Sequence, residues 1–360
     1  MSESLKDKYL NTDFFQQLST DLKTAYPALN KKKFYQQCVT PLDTLELKQR
    51  LTHTTLTVAR HLPDHYKQAI NILYRFSEGL DNQFGYIFLS EFVSTFGKDD
   101  FKTSIKALRD FTQYSSSEFA VREFLKLDFD LTIKHMLEWT GHENEHIRRL
   151  ASEGSRPRLP WASKLPEIID NPALSWPILN QLKNDDAKYV QKSVANHLND
   201  ISKDNPEWML KRISTWNQES TNTVWIIRHG CRSLIKKADP TTLALFNYYE
   251  PSLNLSAFKI SKTSIKLGDS LEFSFMITST SNQQQNIIID YSIHYLKKNG
   301  QHLPKVFKLK TIKLDAFCNF KLSKSHRFQA MTTRKHYAGI HFIEITINGV
   351  NMTKRRFELK

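Results

Sequence analysis

The chain has 360 residues, of which 40% are hydrophobic and 12% aromatic, a composition that excludes a disordered protein and leaves room for two domains. Lys and Arg number 51 against 37 Asp and Glu, a net charge of +14 that points to an anionic partner, either nucleic acid or an acidic membrane surface. No apolar run is long enough to span a bilayer, the polar start MSESLKDKYL does not read as a secretory leader, and Cys38, Cys231 and Cys318 are too scattered for a disulfide framework or a zinc set.

From residue 1 to about 250 the pattern is helical. KQAINILYRFSEGL (67–80) and DLTIKHMLEW (130–139) place apolar residues three and four apart, as one-sided helices do. A repeat lies within this part: NEHIRRLASEG (144–154), AKYVQKSVANHLND (187–200) and VWIIRHGCRSLI (224–235), with SEFAVREFLK (117–126) as a fainter copy. With Val121, Ile147, Val190 and Ile227 in register, the spacings are 26, 43 and 37 residues. Irregular periods near forty predict helix pairs stacked in a HEAT-like α-solenoid, whose concave face suits a large partner. In the third copy Val190, Val194, Leu198 and Ile201 are expected to point inward. Lys192, Asn196 and Asp200 form a separate polar stripe, and Arg149 and Glu153 match Lys192 and Asn196 one repeat earlier.

From Leu253 onward short runs alternate apolar with polar residues: LEFSFMITST, NIIIDYSIHYL, KVFKLKTIKL and GIHFIEITING, punctuated by LGDS, KKNG and NGVN. That pattern predicts a small β-sandwich, divided from the helices near YYEPSLNLS, so that residues 1–250 and 251–360 form two domains. Residues 241–360 carry eighteen Lys and Arg against seven Asp and Glu, a surplus of eleven within the +14 of the whole chain.

LASEGSRPRLPWA (150–162) followed by VQKSVANHLND (190–200) resembles the AlkC family of bacterial DNA alkylation-repair glycosylases, relatives of the AlkD family, along nearly the whole chain. The resemblance implies HEAT-like repeats followed by a C-terminal immunoglobulin-like β-sandwich that helps grip the duplex. It also implies excision of N3-methylated adenine and cytosine (3-methyladenine and 3-methylcytosine) from double-stranded DNA, with the lesion still near the base stack. No metal and no other cofactor is implied, and a monomer in the bacterial cytoplasm is expected.

The chemistry needs few parts. A methylated cationic base is already a good leaving group, so the enzyme must stabilise positive charge developing on the sugar and guide a water molecule. Carboxylates beside the deoxyribose do both, and an aromatic face can attract the cationic base. The family's acidic residue in SEGSRPR falls on Glu153, whose plainer reading is a surface salt bridge with Arg149. Trp161 follows Pro157 and Pro160 and is either a core anchor or the cation-facing aromatic. Asp200 is either the cap of the next helix or the residue that orients water. Glu118, at the start of the faintest copy, is carried over as a third acid. Arg148, Arg149, Arg156, Arg158 and Lys192 are expected to meet DNA phosphates, with Asn196 beside them, and Arg156 and Arg158 are expected to face outward from the proline-bounded loop. With no catalytic lysine assigned, the expected product is an abasic site without strand cleavage. Two alternatives stand: a non-catalytic HEAT-repeat binder of bent or damaged DNA, and a protein-interaction scaffold. The 13 histidines show no HExxH spacing, and no glycine-rich phosphate loop is present.

Overall fold

A computed structural model describes residues 4–217, 219–330 and 335–360 and separates into two compact units, Met1–Gly230 and Cys231–Lys360. The first unit is helical throughout. The three clear repeat copies form the helices Glu145–Gly154, Lys188–Ile201 and Thr221–Gly230, and the middle one packs against both of the others. Its inward stripe is the expected one: Val190, Val194, Leu198 and Ile201 are all buried. Sequential packing of this kind is what a HEAT-like solenoid requires. The faint copy forms the helix Val121–Leu127, and Glu118 lies in the turn just ahead of it rather than at its first residue.

Small residues set how closely the repeats approach. A Cβ added at Gly154 would lie 2.5 Å from a methyl of Val121, so glycine at the end of the Glu145–Gly154 helix lets it close onto Val121–Leu127. The stack also contains His197, fully buried, with Nδ1 3.0 Å from the Ser152 carbonyl and Nε2 3.2 Å from Ser175 Oγ. A carbonyl can only accept, so Nδ1 carries the proton and Nε2 accepts from the serine. Burial pushes the His197 pKa down to about 3. Because the folded pKa lies below the unfolded value, the neutral ring's contribution is complete above about pH 6.5 and is lost as pH falls below it. The denaturation midpoint should therefore drop steadily from pH 6.5 towards 4, and a His197→Asn variant should show a shallower drop. Identical slopes for the two proteins would rule His197 out as the cause.

The second unit is a β-sandwich of eight strands among the described residues: β1 (Leu253–Ile260), β2 (Ser264–Ile265), β3 (Ser270–Ser279), β4 (Gln285–Leu296), β5 (His302–Leu314), β6 (Asn319–Arg327), β7 (Gly339–Ile347) and β8 (Val350–Leu359). One sheet runs β1-β3-β6 and the other β2-β8-β7-β4-β5. All pairs are antiparallel except β2 with β8. Period-two alternation puts Leu271, Phe273, Phe275 and Ile277 of β3 inside, against Ile287, Ile289 and Ile293 of β4 and Ile343 and Ile345 of β7. The triple isoleucine of β4 serves both faces. Ile288 leaves the sandwich core and packs with Leu243 and Tyr248. Leu243 belongs to the short helix Pro240–Leu245, which explains why the compact division falls at Gly230, ahead of the boundary expected near residue 250.

Candidate active site

The site is built where three repeat copies meet. The Glu145–Gly154 helix is capped at its start by Asn144 and stops before Pro157, which cannot continue it. The loop that follows is anchored by Arg122, only 2% exposed. Arg122 Nη1 donates to the carbonyls of Gly154 at 2.9 Å and Arg156 at 2.8 Å, and Nη2 donates to that of Ser163. Burial, with Arg156 nearby, lowers the Arg122 pKa to about 10, so it remains a cation at neutral pH. A single buried guanidinium therefore fixes both ends of the segment that carries Arg156 and Trp161.

Arg156 does not face outward. It is 7% exposed, with Nη1 2.6 Å from Glu153 Oε1 and both Nε and Nη2 2.8 Å from Asp200 Oδ2. The alternation expected of an extended loop fails because Ser155 continues the turn of the helix, bringing Arg156 over two buried carboxylates that require a counter-charge. Arg149 is likewise engaged. Its Nη1 lies 2.5 Å from Glu118 Oε2 and 2.8 Å from Ser116 Oγ, and its Nη2 lies 3.5 Å from Glu153 Oε1. Its guanidinium also stands 4.8 Å from the centre of the Tyr189 ring. Burial alone would lower the Arg149 pKa, but Glu118 and Glu153 outweigh it and hold the group firmly protonated. Ser193 Oγ donates to Glu153 Oε2 at 2.6 Å, and Lys203 reaches Asp200 Oδ1 at 2.8 Å.

Glu118, Arg149, Glu153, Arg156 and Asp200 thus form one continuous ionic chain across three repeat copies. Glu153 with Arg149 is not a surface pair, and Asp200 lies in the last turn of its own helix, with Asn205 at the cap of the next. Glu118, Arg149, Glu153 and Arg156 line a cavity of 430 Å³ together with Phe84, Phe119, Pro160, Trp161 and Tyr189. Asp200, 1% exposed, is held behind Arg156 and does not line it. Trp161 is no core anchor. It is 67% exposed, with a left-handed backbone at φ 67°, a conformation that costs a non-glycine residue about 1–3 kcal/mol.

The other expected phosphate contacts divide. Arg148 is clamped on Asp185 at 2.6 and 3.1 Å and on the carbonyls of His142 and Glu143, where it joins consecutive repeats instead of facing a partner. Arg158 is part-exposed but paired bidentately with Asp204 at 2.6 and 2.5 Å. Lys192 is exposed and has no carboxylate partner among the described residues, and Asn196 is half-buried. Their stripe is not the one that reaches the acids. At 3.6 residues per turn Lys192 is rotated about 80° from Asp200, whereas Ser193 is within about 20°. Tyr189, Ser193 and Asp200 are therefore the residues that share a face. Tyr189, Ser193, Phe119 and Arg122 were not singled out from sequence. The seven-residue step from Ser193 to Asp200 was the legible signal for one of them.

The chain is thus a HEAT-like solenoid carrying a carboxylate-lined cavity, followed by an immunoglobulin-like sandwich. Residues 91–234 match the family model described as DNA alkylation repair enzyme, and residues 254–360 match that of the C-terminal Ig-like domain of the uncharacterised protein YhaZ. YhaZ of Bacillus subtilis (strain 168) is 41% identical over 354 residues, 96% of each chain. The Pseudomonas fluorescens alkylpurine DNA glycosylase AlkC, solved bound to DNA containing an abasic site analogue, is 39% identical and superposes with a TM-score of 0.95 over 99% of this chain and 100% of that one. The chain belongs to the AlkC family of bacterial DNA alkylation-repair glycosylases. Among the described residues no helix is long and apolar enough to cross a membrane, and no group of three His, Cys, Asp or Glu is placed to hold a metal ion.

Proposed function

We propose that the chain hydrolyses the N-glycosidic bond of cationic N3-methylated bases, 3-methyladenine and 3-methylcytosine, in double-stranded DNA, without rotating the base out of the helix. The observation that carries this is a single cavity lined by Glu118, Glu153 and the exposed indole of Trp161. The indole face takes the cationic base, an attraction of about 0.5–2 kcal/mol. The two carboxylates stand where positive charge grows on the sugar. The C1′–N bond breaks with its electron pair passing to the base, a water oxygen bonds C1′, and the water's proton passes to a carboxylate. Glu118 is the acceptor best placed for it: its Oε2 is taken by Arg149 and Ser116, while Oε1 has no donor among the described residues. Asp200 acts through Arg156 as a positioning residue. A protein that merely grips a polyanion gains nothing from carboxylates facing it, which disfavours the binding-only reading.

Release of free base from methylated duplex is the direct test. Trp161→Ala should lower the rate about tenfold, consistent with the loss of one cation–π contact. No base released by the unaltered protein would remove the proposal, and an unchanged rate in the variant would remove Trp161 from it.

The β-sandwich, in this reading, adds phosphate contacts. Lys259 on β1 and Lys321, Lys324 and Arg327 on β6 are exposed, and none has a carboxylate partner among the described residues. Most of the helical unit's candidate cations are, by contrast, locked in pairs. Replacing Lys259 and Lys321 together by Gln should weaken DNA binding across all sequences and reduce the slope of log affinity against log salt by about two. An unchanged slope would show that this face does not meet DNA.

A further inference from the structure

A second cavity, also of 430 Å³, adjoins the carboxylate site. The two share Phe84, Ile87, Phe119 and Trp161 as lining residues, so aromatic side chains and the Trp161 loop form the partition. Most of the surface this cavity presents is apolar, from the shared residues with Leu47, Leu51, Ala120 and Ala162, although Lys48, Arg122 and Glu123 also line it, and its volume lies within the range of about 300–1,000 Å³ usual for small-molecule sites. Lys48 reaches the Trp161 carbonyl at 3.5 Å, linking the rim to the partition. One polar group stands out. Glu91 Oε1 accepts from Thr52 at 2.7 Å, while its Oε2 has no donor among the described residues. Trp161 apart, none of these groups is used by the chemistry proposed above.

We infer that this cavity receives the excised base, a neutral planar heterocycle with an exocyclic amino group. The inference rests on the glycosylase reading and follows from what bond cleavage does to the base. Before cleavage the methylated ring is cationic and is held by the Trp161 face and the carboxylates. When the glycosidic electron pair passes to the ring, the positive charge disappears, and the cation–π and ionic attractions go with it. What remains is a flat, weakly polar disc, favoured on apolar and aromatic surface. The nearest such surface is the other side of the shared partition. There Glu91 Oε2 can accept from the amino group that adenine and cytosine both carry. A guanine lesion, with its amino group elsewhere on the ring, would fit that acceptor less well.

Equilibrium dialysis of labelled 3-methyladenine against the full chain, with and without saturating abasic-site duplex, tests this. Saturable binding is expected, retained when the duplex fills the carboxylate site, and weakened at least tenfold by Leu51→Trp, which fills the cavity, and by Glu91→Leu, which removes the acceptor. Leu47→Trp serves as a second filling variant should Leu51→Trp lower the melting temperature. Absence of saturable binding, displacement of the base by the duplex, or undiminished binding in the filled variants would each overturn the inference. Failure of the unaltered protein to release base from methylated DNA would sink the glycosylase reading instead, and the two results are measured separately.

Discussion

Glu153→Gln is expected to slow base release at least tenfold while leaving affinity for abasic-site DNA nearly unchanged. The substitution keeps the size of the side chain and an acceptor for Arg156, and the amide nitrogen can donate to Ser193 Oγ, so the cavity wall stays in place. What is lost is one negative charge that the proposed function sets beside the sugar, where it would be felt most strongly in the transition state, in which the sugar is cationic. An interaction present only in that state lowers the single-turnover rate without a matching loss of binding. Removing one preorganised electrostatic group from an active site commonly costs about 2.7–4 kcal/mol, so a reduction approaching a hundredfold or more is consistent with direct contact. Glu118→Gln separates the two carboxylates: if Glu118 accepts the water's proton, its loss should be at least as large. Equal rates for Glu153→Gln and the unaltered protein would place Glu153 outside the mechanism.

Arg156→Ala should be the most damaging single change, to stability as well as to activity. Among the described residues Arg156 alone joins Glu153 to Asp200, and both acids are nearly sealed from solvent. Without it two buried carboxylates lose their shared cation. Asp200 keeps Lys203, and Glu153 keeps the Ser193 hydrogen bond and the longer contact to Arg149. Breaking a buried pair by deleting one partner typically costs about 3–5 kcal/mol, which is a large part of the stability of most domains. Base release should fall at least a hundredfold in protein that remains folded. Arg156→Lys distinguishes the two contributions. It restores a positive charge but not the planar fork that reaches both acids, so stability should recover more than activity. A fully active, fully stable Arg156→Ala protein would refute the view that this residue holds the site together.

Much of the architecture was legible in sequence because it is written in periodicities. The three-to-four spacing of Val190, Val194, Leu198 and Ile201 describes a buried helix face however its neighbours are arranged, and the alternation of LEFSFMITST does the same for β3. The resemblance of SEGSRPRLPWA to its family pointed to Glu153 and Trp161, and Pro157 with Pro160 marked the loop that carries the indole. The roles of the cations were not legible in this way. Arg148, Arg149, Arg156 and Arg158 look alike as sequence, each a basic residue in a basic protein, and all were expected to serve phosphates. The fold pairs them with Asp185, Glu118, Asp200 and Asp204, and two of them become parts of the site rather than of its rim.

Sequence by itself determined the helical repeat, the sandwich that follows it, the family, and the acids and tryptophan to consider. These depend on local spacing or on a contiguous motif. Only the tertiary structure decided which charges neutralise one another. Arg156 and Asp200 are 44 residues apart and Arg149 and Glu118 31, and no local pattern specifies which of many carboxylates a given arginine will meet. Burial makes that choice: an acid withdrawn from water must find a cation, and the packing of one helix on the next determines which cation lies within reach.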